Sequence, residues 1–362
     1  MPNNDNLLLI QTSIGDYRQS VIDIMYERMG ERFKIYCGKE YFYPSLKTGI
    51  KFNGPHKLIE NKFFANRKIL VQIGVITEGI NADNVILELN PRIITNWIIA
   101  ISRKLLGRHT SFWGHAWARN GPNSTSDPIR EIMRRLGNTL IVYTETQKEE
   151  LITIRGWSSK KIFAAPNALY KKSSMVAVKN NLRTDFISVG RLVKEKKISL
   201  LIESFSKFSQ SNKEAKLHIV GSGPEEEELK ELAKKSNSPE RIIFHGHISD
   251  PEKLKLIYNE SIASISAGYV GLSVTQSLGF GVPMIISKNE PHAPEIEAAK
   301  DGFNCIFFET DSIESLAESM NKVIVDKIKW IAKSEKISAE CQTNYSAEKM
   351  ADRLMEATIG RK

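Results

Sequence analysis

The chain has 362 residues, a formal net charge of +9, 41% hydrophobic residues and 26% charged residues. That length exceeds what one core organises, and the apolar content excludes a disordered chain, so two domains of about 100–200 residues are expected. With aromatics at 8%, fibrous and low-complexity classes are excluded as well.

Three widely spaced cysteines, Cys37, Cys305 and Cys341, cannot build a disulfide framework or a Cys/His zinc site, and they predict a reducing compartment. No apolar run reaches the roughly 18–20 residues of a spanning helix. The opening MPNNDNLLLI lacks the basic leader of a signal peptide, so a soluble cytoplasmic protein is expected. The basic excess is uneven: residues 1–172 carry roughly 25 Lys and Arg against roughly 15 Asp and Glu. The remainder is close to neutral. A cationic first half points to an anionic partner, which could be nucleic acid, an acidic membrane surface or a phosphorylated substrate.

In chain order, residues 7–11 read as a buried strand, 12–18 as a polar loop and 19–29 as a helix. Strands are predicted at 33–38, 69–76 and 85–89. Residues 92–106 form a helix after Pro91, closed by Gly107. A strand at 110–113, a helix at 128–136, a strand at 139–144, a helix at 145–154 and a strand at 161–165 complete the first half. Residues 170–181 are polar and lack a helical stripe, which makes them a linker. The alternation then restarts. Strands are expected at 186–189, 216–220, 242–244, 262–265, 283–287 and 306–308, with helices at 199–209, 224–236, 252–259, 272–280, 313–325 and 346–358.

Apolar strands alternating with helices imply parallel sheets covered on both faces. The expected fold class is therefore α/β, with two doubly wound, Rossmann-like domains and a cleft between them. The expected boundaries are 1–170 for the first domain, 171–183 for the linker and 184–340 for the second domain. Residues 341–362 hold a C-terminal helix packing back on the first. Ligands of such sheets bind at strand C-termini.

Three stretches carry chemistry. In Ser188-Val189-Gly190-Arg191-Leu192-Val193-Lys194-Glu195-Lys196, a glycine after a strand precedes two cations five residues apart, a fork and a point charge suited to a diphosphate. The alternative is a pair of solvated loop cations. His218-Ile219-Val220-Gly221-Ser222-Gly223-Pro224 is a strand entering a glycine-rich turn, which a tight strand-to-helix connection requires in any case. In the stretch from Ser266 to Pro283, a strand ends in a glycine-containing loop. A helix begins near Gly271, where free N–H groups can take a phosphate. Gln276 lies further along that helix.

Together these stretches resemble the second domain of retaining GT-B glycosyltransferases of glycosyltransferase family 4. That family carries a strand-VGR-L-x-x-x-K pattern, a GxGP turn, and E-x7-E ahead of G-x-P. The likeness is close over residues 185–325 and looser before them, where Pro166-Asn167 matches the family's Pro-Asn. It implies that Arg191 and Lys196 hold the donor diphosphate, with Gly190, Val270, Gly271 and Leu272 lining the donor site. The G-x-P maps to Gly281 and Pro283.

The E-x7-E pair departs from the pattern. The first acid, which contacts the donor sugar in the family, is replaced by Gly268. The second, which binds the ribose, is replaced by Gln276, which can still hydrogen-bond there. Glu295, in Pro294-Glu295-Ile296-Glu297, matches a Pro-Glu segment near the donor; the alternative is an acid complementing a helix start. His115, after the strand Thr110–Trp113, matches a strand-end histidine that faces the donor sugar. Gly15, Asp16 and Arg18 follow the first strand as acceptor-side candidates, or Asp16 caps a helix.

The resemblance implies a metal-independent hexosyl- or deoxyhexosyltransferase that uses a nucleotide-sugar as substrate and no cofactor. The implied acceptor is a growing bacterial surface polysaccharide on a lipid carrier, such as O-antigen or capsule. The helix over 92–108, with Arg103, Lys104 and Arg108, is read as a core helix with a basic outer face. Alternatively, with Arg130, Arg134 and Arg135, it contacts the inner-membrane surface from the cytoplasmic side. Nucleic acid is not expected, because the cations lack interleaved aromatics. The rival reading is a non-catalytic sugar-nucleotide-binding partner of a glycan-assembly complex, motivated by Gly268.

Overall fold

A computed structural model of the chain describes residues 6–44, 46–118 and 121–359. It divides into two compact units, one from Met1–Leu169 with Ala347–Lys362, the other from Tyr170–Ser346.

The first unit opens with β1 (Leu7–Gln11), α1 (Gln19–Met29), β2 (Phe33–Cys37) and β3 (His56–Leu58). It continues through β4 (Glu60–Phe64), β5 (Ile69–Ile73), α2 (Ile76–Asn81), β6 (Asn84–Glu88) and α3 (Ile94–Leu105). Then come β7 (Thr110–Trp113), α4 (Asp127–Leu136), β8 (Thr139–Val142), α5 (Glu145–Arg155) and β9 (Ile162–Ala164). Seven of these strands form one parallel sheet in the order β3-β2-β1-β6-β7-β8-β9.

The uninterrupted apolar run of β1 follows from burial on both faces. Leu7 and Leu9 enter one core layer, while Leu8 and Ile10 enter the opposite one. Residues 69–76 depart from expectation: β5 stands outside this sheet and pairs antiparallel with β4. The tight turn between them leaves no room for the crossover that a parallel pair needs. β3 and β4 have too few apolar residues to be read as strands from pattern alone.

Helix α3 also corrects the reading. It starts at Ile94, after a turn containing Pro91 and Arg92, and Arg103 is fully buried rather than on a basic outer face. Its guanidinium donates to the carbonyls of Gly79, Ile80, Ala82, Asp83 and His109 and to the Thr110 hydroxyl. Arg134 is likewise buried, its Nη2 donating to both carboxylate oxygens of Asp127 at 2.8 and 3.0 Å.

The second unit runs through β10 (Asp185–Val189), α6 (Ile198–Phe208), β11 (Leu217–Val220), α7 (Glu226–Lys234) and β12 (Ile242–Gly246). It goes on with α8 (Pro251–Glu260), β13 (Ser261–Ser266), α9 (Ser273–Gly279), β14 (Met284–Ser287) and β15 (Cys305–Phe308). Three helices close it: α10 (Ile313–Val325), α11 (Lys327–Ala332) and α12 (Ser334–Tyr345). Neither α11 nor α12 was anticipated. Six parallel strands lie in the order β12-β11-β10-β13-β14-β15.

The segment 171–183, expected as a linker, packs on this unit. Met175 and Val178 are buried, and the Val178 amide donates to the Phe280 carbonyl at 2.9 Å. The chain then returns to the first unit as α13 (Ala347–Thr358), which buries Met350, Ala351 and Leu354 in the same core layer as Leu7 and Leu9.

Candidate functional site

In each of the two parallel sheets, one strand has neighbours reached in opposite directions along the chain, and this switch point opens a crevice beyond the strand C-termini. In the second unit the switch lies between β10 and β13. The loops leaving these two strands carry Gly190, Arg191 and Lys196 on one side and Gly268–Leu272 on the other.

The β10 loop is held by its neighbour. The Gly190 amide donates to the Val220 carbonyl and the Leu192 amide to the Ser222 carbonyl, while the Glu225 amide donates back to Leu192. A Cβ on Gly221, whose φ is +143°, would lie 1.8 Å from the Gly190 carbonyl oxygen. The GxGP turn is therefore glycine-rich because the cation-bearing loop rests on it.

Lys196 sits in a short 3-10 turn, Lys194–Lys196, and its Nζ donates to the Tyr269 carbonyl at 2.7 Å. Burial, then the Arg191 charge, pushes its pKa down to about 8, against the opposing pull of Glu295 and Glu195. Arg191 is exposed, and its guanidinium takes no partner among the described residues. Two cations that raise each other's energy and are only partly neutralised make a place for an anion. Glu295 is buried in the 3-10 turn Pro294–Ala298, where its charge favours protonated Lys196.

The facing loop is pinned at several atoms. The Tyr269 amide donates to the Glu195 carbonyl at 2.8 Å, and the Ala293 amide donates to the Val270 carbonyl. The Val270 amide donates to His292 Nδ1 at 3.2 Å, which leaves His292 Nε2 to donate to the Ser287 carbonyl at 2.8 Å. Burial holds His292 below the ordinary histidine range, so it is neutral and can accept that bond. Sequence reasoning missed His292, because its partner is 22 positions away in sequence and no motif joins them. Val270 itself is core, so it contributes through its backbone. Helix α9 begins at Ser273, two residues later than expected. Among the described residues, the Gly271 and Leu272 amides ahead of it have no partner.

Two residues expected on the donor side have close neighbours that the motif does not show. Gly268 faces the Lys194–Lys196 turn: a Cβ there would lie 2.2 Å from the Glu195 carbonyl oxygen. An acid cannot occupy this position without moving that backbone. Gln276 is buried, and its side-chain nitrogen donates to the Tyr170 hydroxyl at 2.7 Å, with the Tyr258 hydroxyl 3.5 Å from its oxygen. Its amide is engaged by tyrosines, not poised in an open crevice.

In the first unit the switch lies between β1 and β6. Glu88 accepts from the Thr12 amide at 3.1 Å and the Thr12 hydroxyl at 2.7 Å, tying the two strand ends together. Arg18 is buried, donates to the Tyr143 hydroxyl at 3.1 Å and lies 4.2 Å from the centre of the Trp113 ring. His115 rests beside Tyr143 with ring centres 4.7 Å apart. The surrounding protein, then the Arg130 and Arg18 charges, pushes His115 down to about 4, although part of the residue is open to solvent.

Glu88 and Tyr143 escaped sequence reasoning, although a lone acid closing an apolar strand was the available signal. Asp16 bonds the neighbouring Tyr17 amide at 2.8 Å and caps no helix. At Gly15 a Cβ would meet the Tyr17 ring at 2.6 Å, so the close approach is internal.

Residues 171–342 match the family described as glycosyl transferases group 1. The matched segment lies within the second unit, Tyr170–Ser346, and the two-unit α/β fold of the chain is GT-B-like. An uncharacterized glycosyltransferase of Haemophilus influenzae is 25% identical over 278 residues, covering 74% of this chain and 75% of that protein. Lipopolysaccharide 1,6-galactosyltransferase of Salmonella typhimurium is also 25% identical, over 50% of this chain and only 51% of its own length. The crystal structure of Anabaena Alr3699/HepE in complex with UDP superposes with a TM-score of 0.70 at 14% identity, covering 97% of this chain and 98% of that one.

Proposed function

We propose that this chain transfers a sugar from a nucleotide-sugar donor to a growing bacterial surface polysaccharide on a lipid carrier, with retention of configuration. The observation that carries the reading is the pairing of Arg191 and Lys196 with the open amides of Gly271 and Leu272 at one switch point. That set suits a diphosphate, and the structural neighbour holding UDP is consistent with it. As the bond between the anomeric carbon and phosphate oxygen breaks, the two cations stabilise the departing diphosphate. Each 1.4 kcal/mol or so of such stabilisation is worth about tenfold in rate. They supply the charge that a divalent metal would otherwise bring. Neutral His115 is suited to a hydrogen bond with a sugar hydroxyl, and the ends of β1 and β6 in the first unit, with Arg18 close by, are assigned to the acceptor.

The test is a thermal-shift comparison of UDP, GDP and dTDP, followed by transfer assays with the matching sugars. Arg191→Ala should abolish both the shift and transfer while leaving the unliganded melting temperature unchanged. Undiminished turnover would sink the assignment. A second reading is favoured by Gly268 and by the engaged Gln276: a sugar-nucleotide-binding partner of a glycan-assembly complex that does no chemistry. Nucleotide binding without transfer or donor hydrolysis would select it.

A further inference from the structure

Both loops of the anion crevice in the second unit are tied to one short segment, residues 288–293, which lies between β14 and the 3-10 turn carrying Glu295. On one side, Lys197 directly follows Lys196 with φ +50°, in the left-handed region that favours glycine. Its Nζ is held by two carboxylates, Glu290 and Asp311, each at 2.6 Å, and the Glu290 side chain is only 10% exposed. The Lys197–Glu290 pair is therefore screened less than a surface one. Helix α6 begins at the next residue, so this pairing fixes where the Lys194–Lys196 turn ends.

On the other side, Val270 is held at both of its main-chain groups. Its amide donates to His292 Nδ1 at 3.2 Å, and its carbonyl accepts from the Ala293 amide at 2.9 Å. The open amides of Gly271 and Leu272 come next in the chain. The imidazole is anchored in turn at the end of β14, where Nε2 donates to the Ser287 carbonyl. The segment has its own base on the edge strand: the Lys288 amide donates to the Phe308 carbonyl and the Asn289 amide to the Thr310 hydroxyl.

We propose that residues 288–293 are a clasp that positions the diphosphate site, Glu290 setting the cation loop through Lys197 and His292 setting the Gly271 and Leu272 amides through Val270. Both are positioning residues, and the clasp rests on the reading of Arg191, Lys196 and the two amides as a diphosphate site. Donors fixed in advance hold an anion better than donors on a loose loop, which must be ordered at the moment of binding.

His292 gives the clasp a pH signature. A neutral ring accepts from the Val270 amide while donating to Ser287, whereas a protonated ring carries hydrogen on both nitrogens and cannot accept. The charged groups facing it are Lys196 on the loop after β10, which disfavours protonation, and Glu290 on its own segment, which favours it. The loop after β13 and the end of β14 present the Val270 amide and the Ser287 carbonyl. Burial has the largest influence, so the ring stays neutral until the pH falls below the ordinary histidine range. Affinity for a nucleoside diphosphate should then fall on the acid side, separately from the loss above about 8 that follows from Lys196.

The test is calorimetric titration of the full chain with UDP, GDP and dTDP across the neutral and acid range. His292→Ala should weaken binding about five- to tenfold at neutral pH. Lys197→Gly, which suits the local φ but removes the tie to Glu290, should weaken it about threefold or more. His292→Asn offers Val270 a side-chain oxygen that does not titrate. It should restore most of the neutral-pH affinity and lack the acid-side loss of the wild type. Comparing the two proteins with the same nucleotide cancels the titration of the nucleotide's own phosphate. Melting temperatures without nucleotide report folding, and should His292→Ala fail to fold, the Asn profile and Lys197→Gly decide. Full affinity in both weakened variants, or an acid-side loss in His292→Asn equal to that of the wild type, overturns the clasp and leaves the donor reading standing. Failure of the wild type to bind any of the three nucleotides overturns the donor reading, and the clasp with it.

Discussion

Gly268 shows how a departure from a motif can have a steric cause. The position expected to carry an acid lies against the Glu195 carbonyl, and the Tyr269 amide is bonded to the same oxygen. Restoring the acid should therefore harm the protein: Gly268→Glu is expected to lower stability by about 1–3 kcal/mol, read from urea melts, with no gain in transfer. Lys196 makes a prediction in pH. Its pKa is held at about 8 by burial and Arg191, so the charged form that attracts a diphosphate predominates below that pH and is lost above it. Affinity for the nucleoside diphosphate should fall as pH rises through about 8 in calorimetric titrations. Lys196→Arg, whose charge persists, should flatten the profile if the longer side chain is accommodated. The cations were readable from a five-residue spacing; their unequal burial was not, because it depends on the loop after β13.

At the scale of elements, α3 was found from its periodicity, but its faces were assigned wrongly. A cation in the last turn of an amphipathic helix is ordinarily solvated. Arg103 instead gathers five carbonyls and a hydroxyl from the end of α2, the α2–β6 connection and the start of β7. Arg103→Met should strip those carbonyls of this donor, with Ile80 still bonded to Arg108, and cost about 3 kcal/mol or more. Arg103→Lys should rescue little, since one ammonium cannot reach six acceptors. Both are measurable by chemical denaturation. Segment 171–183 makes the opposite point: its polar composition suggests a linker, yet Met175 and Val178 are buried on the second unit.

For the whole molecule, α13 matters most. It follows the second unit in sequence and completes the first in space: Leu354 is fully buried, and the Ala357 carbonyl accepts from the Thr139 hydroxyl at 2.9 Å. Leu354→Ala should cost about 2–5 kcal/mol. Deleting the chain after Ser346 should leave the first core open and the protein aggregation-prone, checked by light scattering on heating.

The uneven distribution of charge, the two rounds of strand–helix alternation and the pair of cations after β10 are properties of the sequence by itself. Each is local: a run of apolar residues is a strand candidate wherever it ends up, and a cation after a strand lies at a strand end. Which strands pair, which face of α3 is wet, and why residue 268 must be glycine were decided only by tertiary structure. Those outcomes depend on atoms brought together from distant positions, such as Glu195 with Tyr269 or Val270 with His292. No spacing rule encodes a contact whose partner is chosen by how two loops pack.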